Sequence, residues 1–451
     1  MSGPQSKLQA RGDPRPAPTP APAFIAALLS HKLFRYGLAA IGPVGTAGAQ
    51  FLLSLILLHS LTPTMFGGFS FLLVTSQLSM GVWTALFVAP MPLLLARPDP
   101  QEALAMRRCL MATNLVMALL AMALFTTASL LLGAPWSASL LFGGYVAAML
   151  LRWFARAHAY ATGGQIRTMA SDVIFTLALL AALAMIALLR THDLTLPYLG
   201  LMLSAVLGLL PFGLGYLKAQ FVQIAPRDLK AYSAVWKAHS GWALIGVITT
   251  EATVNAHAYI VTLVAGAGAF APLAASALLM RPIQVATNAL TEFERPQMAR
   301  QIAQGHRHVA LKATTFFRAM LVAAWLGTIA LAVALYRFAP QVLFPRNYDQ
   351  HYLMIGTALW MAVAVMRLLR SPESVLLQAA GQFRPLAYAS ILSCGVSIIA
   401  VGALLVTHGP LWSIAGIFIG EAVFAAWTWR QRRQWQKQNP DETVPLDEQT
   451  L

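Results

Sequence analysis

Two charges inside apolar runs frame the chemistry open to this sequence. Glu251 lies in a run that begins at Gly241, and Arg281 lies in a second that closes at Pro296. Ala265-Gly266-Ala267-Gly268 separates the runs as a small-residue turn. Each charge is 15 residues from Gly266. At 1.5 Å per helical residue, both sit about 22 Å from the turn, at similar depth. A charge at that depth costs about 2.5–3.5 kcal/mol or more unless it is paired or solvated. The spacing therefore predicts that Glu251 and Arg281 approach one another when the site is empty. Two roles stay open: a pair that only neutralises itself, or an Arg281 that binds an anion while Glu251 is released or protonated.

Asn255 and Tyr259 follow Glu251 at i+4 and i+8, and with Thr262 they draw a polar stripe down one helix face. A lipid-facing helix has no need of such a stripe, so this face is expected to line a cavity or a helix contact. Gln50 and Gln77 are neutral polar candidates in the first two apolar segments. His257 lies off the stripe and reads as a packed histidine or as a proton relay. Arg152 and Arg156 share a face at i, i+4, as Arg367 and Arg370 do at i, i+3. They read as arginines snorkelling to the cytoplasmic interface or as a pseudo-symmetric basic rim suited to phosphate. There is no Walker A motif and no metal-ligand spacing of His or Cys, so neither cofactor nor metal is expected.

The elements that position these residues follow from composition. Of 451 residues, 58% are apolar and 10% charged, against about 25% charged in a soluble domain. Residues 36–96, 109–151 and 385–420 contain no Asp, Glu, Lys or Arg. Each such run is long enough for two spans of roughly 20 residues. The fold class is all-α and polytopic, and the alternating strands of a β-barrel are absent. The net charge of +15 sits in loops, the topogenic pattern, so nucleic acid is not expected as a partner. Cys109 and Cys394 read as inert buried thiols.

Twelve spans are expected, at 37–58, 67–95, 109–132, 137–159, 169–189, 195–217, 238–264, 268–290, 316–337, 350–370, 385–406 and 410–429. With a cytoplasmic N-terminus, 27 Lys and Arg fall on the cytoplasmic side and 3 on the other: Arg190, Arg337 and Arg346. That asymmetry fits the positive-inside rule and places both termini in the cytoplasm. The chain then reads as a disordered tail (1–30), a six-helix bundle (31–217), an interfacial amphipathic linker (218–237), a second six-helix bundle (238–432) and a cytoplasmic tail (433–451). Gly164-Gln165-Ile166-Arg167 and Gly381-Gln382-Phe383-Arg384 repeat after spans 4 and 10. Gly42, Thr46 and Phe66 match Gly246, Thr250 and Phe270 at constant separation. Six spans per half implies a parallel repeat about a pseudo-two-fold along the membrane normal.

Leu61-Thr62-Pro63-Thr64-Met65-Phe66-Gly67-Gly68-Phe69-Ser70, Ala274-Ala275-Ser276-Ala277-Leu278, Glu294-Arg295-Pro296-Gln297-Met298-Ala299 and Pro340-Gln341-Val342-Leu343-Phe344-Pro345-Arg346-Asn347-Tyr348 join the Gly-Gln-x-Arg pair in a family likeness. Across about residues 33–432, the chain resembles the lipid-linked oligosaccharide flippases of the multidrug/oligosaccharidyl-lipid/polysaccharide exporter superfamily. The resemblance implies a V-shaped pair of bundles with spans 1, 2, 7 and 8 lining a central cavity. It also implies a non-enzymatic transporter whose cargo is a polyprenyl-diphosphate-linked saccharide, carried across the bacterial inner membrane, with other glycan assembly proteins as partners of a monomer.

Rivals differ in what they require. A cation-coupled drug exporter of the same superfamily generally carries an acid in its first-bundle cavity, and spans 1 and 2 have none. Peptidoglycan-precursor flippases resemble a fourteen-span plan. A polymerase or ligase would need a sizeable periplasmic loop, and the longest here is about a dozen residues. A membrane scaffold would not need polar residues inside its spans.

Overall fold

The computed structural model describes residues 32–95, 99–189, 193–343 and 348–439. The tail assigned to 1–30, residues 440–451 of the second tail, Arg190, Arg346 and the middle of the Pro340–Tyr348 stretch lie outside the described residues. The chain divides into two compact units, Met1–Ile41 and Gly42–Leu451. In the first, residues 32–41 are helical. The second holds the remaining elements.

The architecture is that of an all-helical polytopic membrane protein. Its twelve long helices are α1 (Lys32–Ser60), α2 (Pro63–Trp83), α3 (Pro100–Leu131), α4 (Trp136–Ala161), α5 (Gln165–Leu189), α6 (Thr195–Leu207), α7 (Gly241–Ala265), α8 in two pieces (Ala267–Ala277 and Arg281–Ala303), α9 (Arg307–Phe338), α10 (Gln350–Ala379), α11 (Phe383–His408) and α12 (Ser413–Gln438). Among the described residues, ten helices are long and apolar enough to cross a membrane, and Val44–Ser60 adds a shorter apolar one. The twelve expected spans each overlap one of the twelve helices, but α7 is not among the ten, and the spans at 67–95 and 195–217 run past the ends of α2 and α6 into further short turns and helices. Several helices overrun their span on the expected cytoplasmic side, as α3, α8, α9, α10 and α12 do. Apolarity marks where lipid ends, whereas backbone hydrogen bonding carries the helix on through Lys and Arg.

Caps and breaks are written locally. Thr62 and Asp99 accept backbone N–H groups at the starts of α2 and α3, each with proline next in the chain. Gly266, at φ 85°, supplies the one-residue turn between α7 and α8. Pro90 has no N–H for the carbonyl of Leu86, one turn earlier. Beyond α2 the chain passes through a π turn, Thr84–Val88, and the Leu86 carbonyl instead accepts the Tyr232 and Ser240 hydroxyls, each at 2.9 Å. Burial holds the Tyr232 phenol above its ordinary pKa, so it remains the protonated donor. These bonds pin the 218–237 connection to α2. That connection is not the single amphipathic helix the spacing suggests. It runs as the end of a helix (Leu214–Phe221), a 3-10 turn (Pro226–Ala231), one α turn (Tyr232–Val235) and a π turn (Trp236–Ser240) that leads into α7. Pro226 interrupts it, and Val235 is its buried anchor.

Buried apolar residues form one cluster built mostly by α1–α6 and two built by α7–α12. Between these halves, α2 packs on α7 and on the first piece of α8. At Gly67 a Cβ would overlap the Ala267 carbonyl, so only glycine allows that approach.

The repeat is visible in matching helix ends. α4 closes at Gly163 and α10 at Gly381, both at positive φ, with the next amide reaching back to Ala159 (2.7 Å) and Leu377 (2.8 Å). Registering the halves on these turns pairs Gly163, not Gly164, with Gly381. The same separation carries Arg152 onto Arg370 and Asp172 onto Ser390.

Candidate functional site: a basic cavity between the halves

Pro282 shapes the site. Lacking an N–H, it cannot serve the Leu278 carbonyl, and α8 gives way to a 3-10 turn at Leu278–Met280. A new helical piece starts at Arg281. Its N-terminal dipole end therefore lies beside the guanidinium, and both favour an anion. No hydrogen bond or ion pair to Arg281 is found among the described residues.

A cavity of about 90 Å³ opens there. Ser54 of α1, Ser70 and Gln77 of α2, Asn255 and His257 of α7, Arg281 and Gln284 of α8, and Trp360 and Arg367 of α10 line it, and no carboxylate does among the described residues. Each water needs roughly 10–15 Å³ of such volume, so the space holds a handful of waters. It falls well short of the 300–1,000 Å³ of a drug-sized pocket. His257 is buried, packs edge-on to Trp360 (5.0 Å between ring centres) and leaves Nδ1 without a partner.

Of the six residues picked from the sequence, Arg281, Asn255 and Gln77 meet at this cavity. Glu251 joins it indirectly: its carboxylate accepts from Asn255 Nδ2 at 2.9 Å and lies against Gly81 of α2. Gln50 turns to Tyr145 of α4 (3.4 Å), and Tyr259 packs edge-on to Phe71 of α2 (6.0 Å), so neither is among the lining residues. The expected approach of Glu251 to Arg281 does not occur: no ion pair joins them among the described residues. The break at Pro282 aims Arg281 into the cavity, while the α7 stripe supplies Glu251 with its own donor.

The two arginine pairs depart from a basic rim. Arg152 and Arg156 both hold Asp172 of α5, and Arg152 also donates to Ser171 at 2.8 Å. Arg152 is only 1% exposed. Arg367 and Arg370 hold Glu421 of α12 at 2.9 and 2.7 Å. Arg367 alone of the four also lines the cavity, and its buried Nη2 has no partner. A third cluster joins Glu373 to Arg318 (2.5 Å) and Arg432 (2.6 Å), with Trp429 under both guanidinium groups. The acids were legible: Asp172 and Glu421 stand alone in expected spans 5 and 12, as Glu251 does in span 7, and carry the same cost if unpaired.

No family model matches the chain, and no curated protein sequence matches it. Solved structures do. A multidrug resistance MATE family transporter of the MOP superfamily, in an inward-facing conformation, aligns with TM-score 0.64 at 15% identity over 90% of this chain and 100% of that one. The lipid II flippase MurJ, in an inward closed conformation, aligns with TM-score 0.63 at 12% identity over 88% and 87%. A MOP superfamily transporter from Pyrococcus furiosus, whose binding pocket is described as of reverse polarity, gives 0.57 at 14% over 90% and 96%. The chain therefore shares the two-bundle fold of these transporters.

Proposed function

We propose that this protein is a non-enzymatic flippase that moves a polyprenyl-diphosphate-linked oligosaccharide across the bacterial inner membrane by alternating access, for surface or exopolysaccharide export. One observation carries the reading: the cavity between the halves presents an unpaired guanidinium, Arg281, with Arg367 beside it and no lining acid. Guanidinium forks match phosphate oxygens, and in a low-dielectric site such bonds are strong. Asn255, Gln77, Gln284 and the serines supply sugar-binding donors and acceptors. The small cavity fits a closed state, from which α2 must part from α7 and α8 to admit cargo. Both termini are cytoplasmic in this reading, residues 31–217 and 238–432 move as the two lobes, and Glu251 couples transport to an ion gradient.

The test is flipping of a fluorescent polyprenyl-diphosphate saccharide in proteoliposomes. Arg281→Ala and Glu251→Gln are expected to abolish it while inserting normally; normal transport by either variant overturns the site. A drug exporter, the second reading, predicts instead that an organic cation such as ethidium is moved and that Arg281→Ala leaves this intact.

A further inference from the structure

A second basic pocket lies away from the central cavity, among α3–α6 at their expected cytoplasmic ends. Its volume is about 250 Å³. Arg107 of α3, His158 and Thr162 at the end of α4, Arg167 of α5, and Gly215 and Tyr216 after the α6 break face it, and no acid lines it among the described residues. We infer that this pocket binds the phosphate headgroup of an anionic phospholipid.

Three independent features support an anion. First, cations converge without partners of their own sign-opposite kind: no ion pair to Arg107 or Arg167 is found among the described residues. Second, polar atoms are left waiting. His158 is 9% exposed, its ring lies tilted against Tyr216 with centres 5.4 Å apart, and its Nε2 has no hydrogen-bond partner among the described residues. The Nε of Arg107 is also buried and unpartnered. Third, two helices start at the pocket. α5 begins at Gln165 beside Gly164, and Gly213, at φ 88°, restarts the chain as Leu214–Phe221. Pro211 causes that second start, since it cannot continue α6. The positive dipole ends of both helices lie at the pocket, where the Arg167 N–H is already held by the Gly164 carbonyl at 3.0 Å.

The rim selects a lipid over a soluble phosphate. Ile166, Leu210 and Leu214, each within two residues of the lining residues Arg167, Phe212 and Gly215, are 78%, 54% and 75% exposed. Apolar side chains left bare beside a headgroup pocket suit acyl chains, and basic pockets between helices on the cytoplasmic side are a recurring headgroup motif. Nothing in this inference uses the central cavity, so it stands or falls apart from the transport reading.

The experiment is native mass spectrometry of the full chain in detergent, titrated with phosphatidylglycerol. The wild-type chain should retain one phosphatidylglycerol with at least tenfold higher affinity than Arg107→Gln/Arg167→Gln. Gly215→Trp provides the second variant: a Cβ there meets nothing within 4 Å, so the indole fills the pocket and keeps both arginines. It should lose the lipid while retaining the wild-type melting temperature. Equal retention by wild type and both variants overturns the site. Displacement of the lipid by inorganic phosphate at equal concentration overturns its identity as a headgroup pocket.

Discussion

The two halves solve one problem with different parts. Each places two arginines near the end of its fourth helix and neutralises them with one buried acid. In the first half the acid is Asp172, from α5, and Arg152 is sealed among Ser171, Met149 and the ring of Phe175. In the second half the position matching Asp172 is Ser390, which bonds Thr249 and Thr250 of α7 at 2.9 and 3.0 Å. The acid comes instead from α12, as Glu421. Moving the carboxylate to another helix draws the arginines differently, and Arg367 ends at the cavity wall. The lesson is that one motif serves as a closed structural clamp in one half and reaches a cavity wall in the other, depending on which neighbour supplies the acid.

This contrast can be broken in graded steps. The largest effect is expected from Asp172→Ala. It strands a fully buried Arg152 and should cost about 3–5 kcal/mol, read as a lower melting temperature and poor recovery from membranes. Glu421→Ala should cost less, because Arg367 and Arg370 keep 15% and 14% exposure and can reach water. Equal losses would show that the clamps are equivalent after all.

Arg281→Ala should leave stability unchanged and weaken binding of a polyprenyl diphosphate roughly 10–100-fold, from about 1.5–3 kcal/mol per bond to a charged group. Microscale thermophoresis against the short-chain lipid checks this. Glu421→Gln removes the competitor for Arg367. Binding of the same ligand should tighten several-fold while flipping slows, because release now lacks a returning carboxylate; unchanged affinity would separate Arg367 from the binding surface. The smallest step is Ser390→Ala, which should cost about 0.5–1.5 kcal/mol in thermal unfolding, the worth of neutral hydrogen bonds. A loss as large as that of Asp172→Ala would mean the matched positions carry equal weight.

What could be read in advance follows the same physics. The helical, polytopic class was legible because lipid demands long charge-free helices, and charge-free runs survive any packing. The turn at Gly266 and the stop at Gly381 were legible because positive φ is a local property of glycine, whereas after α4 the repeat pointed to Gly164 and the positive φ falls on Gly163. The 218–237 connection was misjudged because its apolar spacing suits a helix, whereas Pro226 and the free Leu86 carbonyl divide it among short turns. The site was half legible. Arg281, Asn255 and Gln77 carry a one-dimensional signal, polarity within an apolar run.

Partners were another matter. Equal distance from a turn suggested that Glu251 meets Arg281, but depth along two helices leaves rotation about each axis free. The break at Pro282 settles that rotation for Arg281, and Asn255, one turn along α7, takes Glu251.

The sequence by itself determined a polytopic helical chain and the few polar groups that must be satisfied inside it. Each of these follows from the cost of exposing charge or backbone to lipid, which is paid residue by residue. Only the tertiary structure decided which acid meets which arginine. Those choices depend on helix rotation and on neighbours far apart in the chain, and they leave Arg152 closed away while Arg281 and Arg367 face a common cavity.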